Sequence, residues 1–366
     1  MASGHRTRLA YILAPSHSGS TLLALLLGSH PDVTTIGEVN VSALDDPATY
    51  LCSCGEPLRN CPFWEVITRC MDRRGFAFDI AAPGTDFQRV SSGYAKALLR
   101  PLHRGALLEW CRETALRLSP AWRAAYGAIQ ARNAALVQSI CEVNGAQVVV
   151  DSSKIGLRLK YLLRNADLDV RVIRLVRDGR AVAVSYVDPE RFADACEQSL
   201  RGGGSGRSRE AERLDMEAAA REWRRSNEEA DLLLARLPPS RWIEVRYESI
   251  CRDTEATLRR IFRFLEVDPV RPRPPFRDAT THVIGNGMRL DTTSDVRLDT
   301  RWRVVFSEGD RRLFDAVAGR LNRRLGYAEE AGGGARRPRA WPQRTRPPRR
   351  RRRSTCVSSR TTHSRP

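Results

Sequence analysis

Lysine is nearly missing from this chain. Only Lys96, Lys154 and Lys160 occur among the 61 basic residues, and the rest are arginine. Such a bias reflects coding composition more readily than function, and it makes each remaining lysine conspicuous. Long apolar runs are missing too. No stretch of about 18 uninterrupted apolar residues occurs, so no membrane span is expected. The apolar segment near the N-terminus is broken at Pro15–Thr21 and lacks a small-residue cleavage pattern, so no secretory signal is expected. The nine cysteines are odd in number and scattered over 366 residues. That usage fits a reduced, cytoplasmic setting better than a disulfide scaffold. Acid is missing from the tail: Ala331–Pro366 holds twelve arginines and no Asp or Glu, most of the source of the formal +18 charge. The remaining chain carries a modest positive excess, compatible with an anionic ligand. The tail has one aromatic, Trp341, and no companion basic helix, so specific nucleic-acid binding is a weak reading of the charge.

A further lysine is missing from a telling place. Residues 8–38 read RLAYILAPSHSGSTLLALLLGSHPDVTTIGE. An apolar strand (Leu9–Ala14) runs into a small-residue loop (Pro15–Thr21) and then an apolar helix (Leu22–Leu27). Small side chains let backbone N–H groups reach an anion, and the helix N-terminus adds partial positive charge. A Walker A loop would place Lys between the second Gly and Ser/Thr. Here Gly19 is followed directly by Ser20-Thr21. The loop reads as a phosphate cradle for a nucleotide other than ATP or GTP, with a P-loop kinase as the competing reading.

Downstream, strand and helix patterns alternate. Strands are expected at 33–36, 147–151, 170–176 and 242–246, and helices at 121–144, 156–165, from Ala181, at 217–237, 254–264 and 308–325. This alternation predicts an α/β fold, a P-loop-type parallel sheet flanked by helices. Residues 1–328 form the expected domain. Within it, 41–145 is a helical and loop insertion shaping an acceptor site, and the glycine-rich 188–214 is a mobile loop. Residues 329–366 are expected to be a disordered Arg/Pro-rich tail.

The stretch VIRLVRDGRAVAVSY (172–186) brings Arg177 to the carboxyl end of a strand, where open α/β sheets bind ligands. Ser185 follows about two helical turns later. An arginine and a hydroxyl so placed could grip one phosphate from two sides. Equally, Arg177 could pair with a local acid while Ser185 only packs.

Taken together, the two stretches resemble the PAPS-dependent sulfotransferases, PAPS being 3′-phosphoadenosine 5′-phosphosulfate. The resemblance runs from about residue 8 to 328 and is closest to the bacterial branch related to tyrosylprotein sulfotransferases. It implies that Ser16, His17, Ser18, Gly19, Ser20 and Thr21 hold the 5′-phosphosulfate and that Arg177 and Ser185 hold the 3′-phosphate. It implies Glu38 as the base that deprotonates an acceptor hydroxyl, and Lys154 as the cation beside the transferring group. Arg289, in HVIGNGMR (282–289), matches a late loop that closes over the cofactor. Trp223, Asn227 and Tyr247-Glu248 match a later helix and turn, with Trp223 expected in the core. The implied reaction is in-line sulfonate transfer to a hydroxyl, or an amine, of a small-molecule, carbohydrate, lipid or peptide acceptor, with no metal required. His17 departs from the pattern, standing where the family carries Arg or Lys. A bound phosphate would favour its protonated form, so His17 is expected to act as the cation when PAPS is bound.

Cys52, Cys54 and Cys61 form a C-x-C-x6-C pattern. The thiols could hold zinc, form a redox-sensitive loop, or stay reduced. No second C-x2-C knuckle accompanies them, so the spacing matches no recognised finger.

Overall fold

Five parallel strands carry the fold: β1 (Thr7–Leu13), β2 (Val33–Gly37), β3 (Val148–Asp151), β4 (Leu168–Val176) and β5 (Trp242–Arg246), in the order β2-β3-β1-β4-β5. The structure is a computed structural model describing residues 6–38, 46–88, 98–99, 105–195, 197–204, 208–277, 281–293 and 295–327. The expected tail, 329–366, lies outside these residues, as do 41–45, 89–97 and 100–104 of the expected insertion. Among the described residues, no helix is long and apolar enough to cross a membrane.

Period-two alternation along β1 explains why both sheet faces are covered. Leu9, Tyr11 and Leu13 point into one core, with Val149, Val170 and Val172 beside them. That core is closed by helices α2 (Pro62–Arg73), α3 (Gly105–Leu118) and α4 (Pro120–Asn144). Ala10 and Ile12 point to the opposite face, against α1 (Ser20–Gly28) and the later helix Thr254–Phe264. Pro120 occupies the first turn of α4, Ser119 caps it by accepting from Trp122 N–H (3.3 Å), and Gly145 closes it at φ 61°.

Some boundaries differ from the sequence expectation, for local reasons. Helix α5 is Gly156–Leu162, shorter than 156–165, because Asn165 turns away and donates to the Gln130 carbonyl (2.9 Å). Helix α6 begins at Gly179, before Ala181, because the Asp178 side chain accepts from Arg180 N–H. Helix α7 spans Met216–Leu234. Between α6 and α7, the described parts of 188–214 contain short helical turns at Pro189–Phe192, Gln198–Gly204 and Glu210–Glu212.

One feature of this topology places a site. From β1 the chain winds toward β3 and β2 on one side, then crosses to β4 and β5 on the other. The crevice at the carboxyl ends of β1 and β4 is therefore the switch point where such sheets bind ligands.

Candidate active site at the switch point

The 15–21 loop leaves β1 at this crevice. Gly19 sits at φ 88° as the N-cap of α1, and no side chain caps the helix there. A Cβ on Gly19 would lie 2.5 Å from the Tyr247 ring, so only glycine fits. Fully buried Ser18 points its Oγ to no hydrogen-bond partner among the described residues. A buried hydroxyl without a partner is costly, and beside an uncapped helix N-terminus it suits an anion.

Arg177 arrives at the end of β4 and meets the loop directly. Its Nη1 donates to the His17 carbonyl (2.8 Å), and its Nη2 pairs with Asp299 (3.4 Å). The guanidinium also lies over the Tyr247 ring, 4.3 Å from its centre. Two motifs separated by 160 positions are thus in contact. Ser185 is buried on α6 and donates to the Ala181 carbonyl (3.1 Å). A cavity of about 240 Å³ opens beside Arg177, lined also by Arg180, Arg246, Tyr247 and Arg252. Neither Ser185 nor the 16–21 loop lines it.

Glu38 and Lys154 come from the neighbouring strand ends, just after β2 and β3. Their side chains form an ion pair, Lys154 Nζ to Glu38 Oε1. Both remain partly exposed, at 31% and 16% of their side chains, so a reactant can reach them. Lys154 sits at φ 67° and His17 at φ 62°. Left-handed backbone costs a non-glycine residue roughly 1–2 kcal/mol. Of three such residues among those described, two are at this site, which is where strain collects when function requires it.

Among the described residues, His17 stands here with no anion beside it. Part of its surface reaches solvent. Even so, burial first, then the charges of Arg209, Lys154 and Arg177, lower its pKa to about 3. Without an anion the ring is therefore neutral at pH 7, packed edge-on against Tyr186 at 4.5 Å. We expect its imidazole NMR signals not to titrate between about pH 5 and 8 in the ligand-free protein; an ordinary midpoint near 6.5 would contradict this environment. The sign for stability follows. Below about pH 6.5 the unfolded chain binds a proton that the folded ring refuses. Acidification from there toward pH 3 should destabilise the protein, by up to about 1.4 kcal/mol per pH unit.

Arg209 is a site residue that sequence reasoning did not single out. Its charge acts on His17 and on Glu38, while its own side chain is held by Glu212 and by the Ala193 carbonyl (3.2 Å). In an arginine-dominated chain nothing local marks it. Arg289 is placed otherwise than expected. It is buried, and its guanidinium donates to the carbonyls of Leu51, Gly203 (3.2 Å), Gly285 (2.6 Å) and Asn286 (3.1 Å). Through Nη1 and Nη2 it clamps three chain segments together, while its buried Nε has no hydrogen-bond partner among the described residues. Trp223 is in the core, as expected, 5.9 Å from Phe314.

Residues 112–272 match the model of the Sulfotransferase family. That match covers 161 of the 366 residues, and over this segment the chain is similar to the Sulfotransferase family. The matched region takes in Lys154, Arg177, Ser185 and Arg209; the 15–21 loop and Glu38 lie before it. Among solved structures, the chain is similar to the sulfotransferase domain of the Synechococcus PCC 7002 olefin synthase. The two are 17% identical, the alignment covers 90% of this chain and 98% of that one, and the TM-score is 0.45. It is also similar to a sulfotransferase domain from the curacin biosynthetic pathway (16% identity, 88% and 98% covered, TM-score 0.42). A sulfotransferase from Mycobacterium avium is a third (15% identity, 74% and 66% covered, TM-score 0.38). No curated protein matches the chain.

Proposed function

We propose that this chain transfers a sulfonate group from 3′-phosphoadenosine 5′-phosphosulfate to an acceptor hydroxyl. The observation that carries the reading is the contact between Arg177 and the His17 carbonyl at the switch point. It joins a lysine-free anion loop to an arginine-bearing strand end within one crevice. The residues present fit the co-substrate: the unpartnered Ser18 hydroxyl and the uncapped start of α1 accept a 5′-phosphate. In this reading Arg177 and Ser185 would hold the 3′-phosphate, Ser185 giving up its bond to the Ala181 carbonyl to do so. The co-substrate supplies an activated sulfonate. Glu38 takes the proton as the acceptor oxygen attacks sulfur, and Lys154 offsets negative charge on the departing bridging oxygen.

A thermal-shift comparison of 3′-phosphoadenosine 5′-phosphate with ATP tests the assignment. A ligand at one hundred times its Kd should stabilise the native state by about 2.7 kcal/mol. The bisphosphate should therefore raise Tm by several degrees and ATP far less. Arg177→Ala should abolish that preference, read as the ligand-induced shift measured from the variant's own unliganded Tm. An equal response to both nucleotides, or to neither, would overturn the reading.

A further inference from the structure

We infer that Cys52, Cys54, Cys61 and His282 form a structural zinc site. The four ligand atoms all lie within 4.8 Å of one another. Three of the six separations are 3.7 Å for Cys54 Sγ to Cys61 Sγ, 3.6 Å for Cys52 Sγ to His282 Nδ1 and 3.3 Å for Cys61 Sγ to His282 Nδ1. A tetrahedral zinc ion with Zn–S of about 2.3 Å and Zn–N of about 2.0 Å sets ligand-to-ligand edges of about 3.5–3.8 Å. Two of these three edges fall in that range and the third, at 3.3 Å, is slightly shorter. They are far longer than the roughly 2.05 Å of a disulfide, and all three cysteines are free thiols.

The surroundings position each ligand. Cys52 and Cys54 sit in a tight loop closed by Cys52 N–H to the Glu56 carbonyl (2.8 Å) and Gly55 N–H to the Cys52 carbonyl (2.9 Å). Gly55 adopts φ 90° to make that turn, with open space around it. Cys61 precedes α2, whose first residue is Pro62, so its sulfur lies at a helix N-terminus that favours a thiolate. Ser53, between the two loop cysteines, grips both neighbours of His282. Its hydroxyl donates to the Thr281 carbonyl (2.6 Å) and accepts from Val283 N–H (2.8 Å). Stacking on Phe63, with ring centres 4.5 Å apart and planes 2° from parallel, orients the imidazole.

Four protein ligands with no open position describe a structural rather than a catalytic zinc. The ion would bind residues 51–61 to a loop 221 positions later. That loop continues into Ile284, which donates to the Ile36 carbonyl (3.0 Å) and accepts from Glu38 N–H (3.1 Å). Zinc would thus fasten the segment on which the Glu38 backbone rests. The metal assignment depends on no step of sulfonate transfer.

Elemental analysis of the purified full chain, prepared without chelators, should find one zinc per protein. Replacement by cobalt(II) should give visible bands of a tetrahedral ion and thiolate-to-cobalt charge transfer in the near ultraviolet. Cys61→Ser and His282→Ala should abolish zinc retention, although loss of these buried or half-buried side chains could also disturb folding. Cys54 is exposed, so Cys54→Ser should keep the parent circular dichroism spectrum while zinc affinity falls at least about tenfold, no less than the loss of an outer-sphere partner costs. A chain that is metal-free as purified and binds neither zinc nor cobalt would overturn the assignment. So would a Cys54–Cys61 disulfide found by mass spectrometry, iron–sulfur colour with matching iron content, or unchanged zinc affinity in Cys54→Ser. These readouts stand whether or not 3′-phosphoadenosine 5′-phosphate binds.

Discussion

Glu38→Gln should lower kcat for sulfonate transfer by roughly 10²–10⁴-fold, the usual worth of a positioned general base, while binding of 3′-phosphoadenosine 5′-phosphate changes little. Glutamine keeps the size and the hydrogen-bonding oxygen of the side chain but cannot take a proton. The backbone of residue 38 is held independently, by its N–H donating to the Ile284 carbonyl (3.1 Å). The substitution should therefore leave the fold in place and remove only the ion pair with Lys154. That pair is partly exposed, and such pairs contribute at most about 1 kcal/mol to stability. A purely structural Glu38 would show the reverse pattern: a small change in Tm and an unchanged kcat. The pH profile separates the two cases as well. If Glu38 is the base, the acidic limb of the kcat profile should disappear in Glu38→Gln; a limb retained at full amplitude would assign it elsewhere.

Arg158→Ala should destabilise the protein by about 3–5 kcal/mol, the expected cost of stripping one partner from a buried ion pair. Arg158 and Asp151 are 3% and 0% exposed, with Nε and Oδ2 3.0 Å apart. The same guanidinium donates to the Thr85 carbonyl (2.9 Å) and to Asn133 Oδ1 (2.8 Å). Alanine would leave the Asp151 carboxylate in the interior without its cation and would take a donor from two other buried acceptors. Asp151 also accepts from Ser153 N–H (2.8 Å), at the start of the turn that carries Lys154 into its left-handed backbone. The loss should thus reach the site, with kcat falling along with the urea midpoint. Asp151→Asn in the Arg158→Ala background should recover part of the stability, because the uncompensated charge is gone. A loss of less than about 1 kcal/mol in Arg158→Ala would mean that water or another cation reaches Asp151.

The parallel sheet was legible because its signals are local. Apolar runs at 9–14, 147–151 and 170–176 are too short for helices and each ends in small or polar residues. Their two-faced burial along β1 is the direct outcome of that pattern. The anion loop was legible for a similar reason: Pro15 to Thr21 lies between an apolar strand and an apolar helix, and the missing lysine is read from one position. Arg177 stood out through its strand end. Arg209 and His282 did not stand out. One sits in an arginine-rich segment, the other in a loop with no metal-ligand spacing, and each acquires its neighbours only through long-range packing. Arg289 looked like a ligand contact for its charge, and its Nη1 and Nη2 donate to four backbone carbonyls, contacts that only long-range packing brings together.

Periodicity and small-residue loops act over a few residues, so the amino-acid order alone specified the strands, the anion loop and the chemical types available: carboxylate, lysine, arginine and thiols. Which of these meet is a matter of strand order. Placing β4 beside β1 sets Arg177 against the loop at His17, and pairing β2 with β3 brings Lys154 to Glu38. The same packing surrounds His17 with three cations and leaves it neutral, a state no local pattern encodes. It also lays His282 over three thiols. Burial, field and coordination geometry depend on groups hundreds of positions apart, and they exist only once the chain has closed on itself.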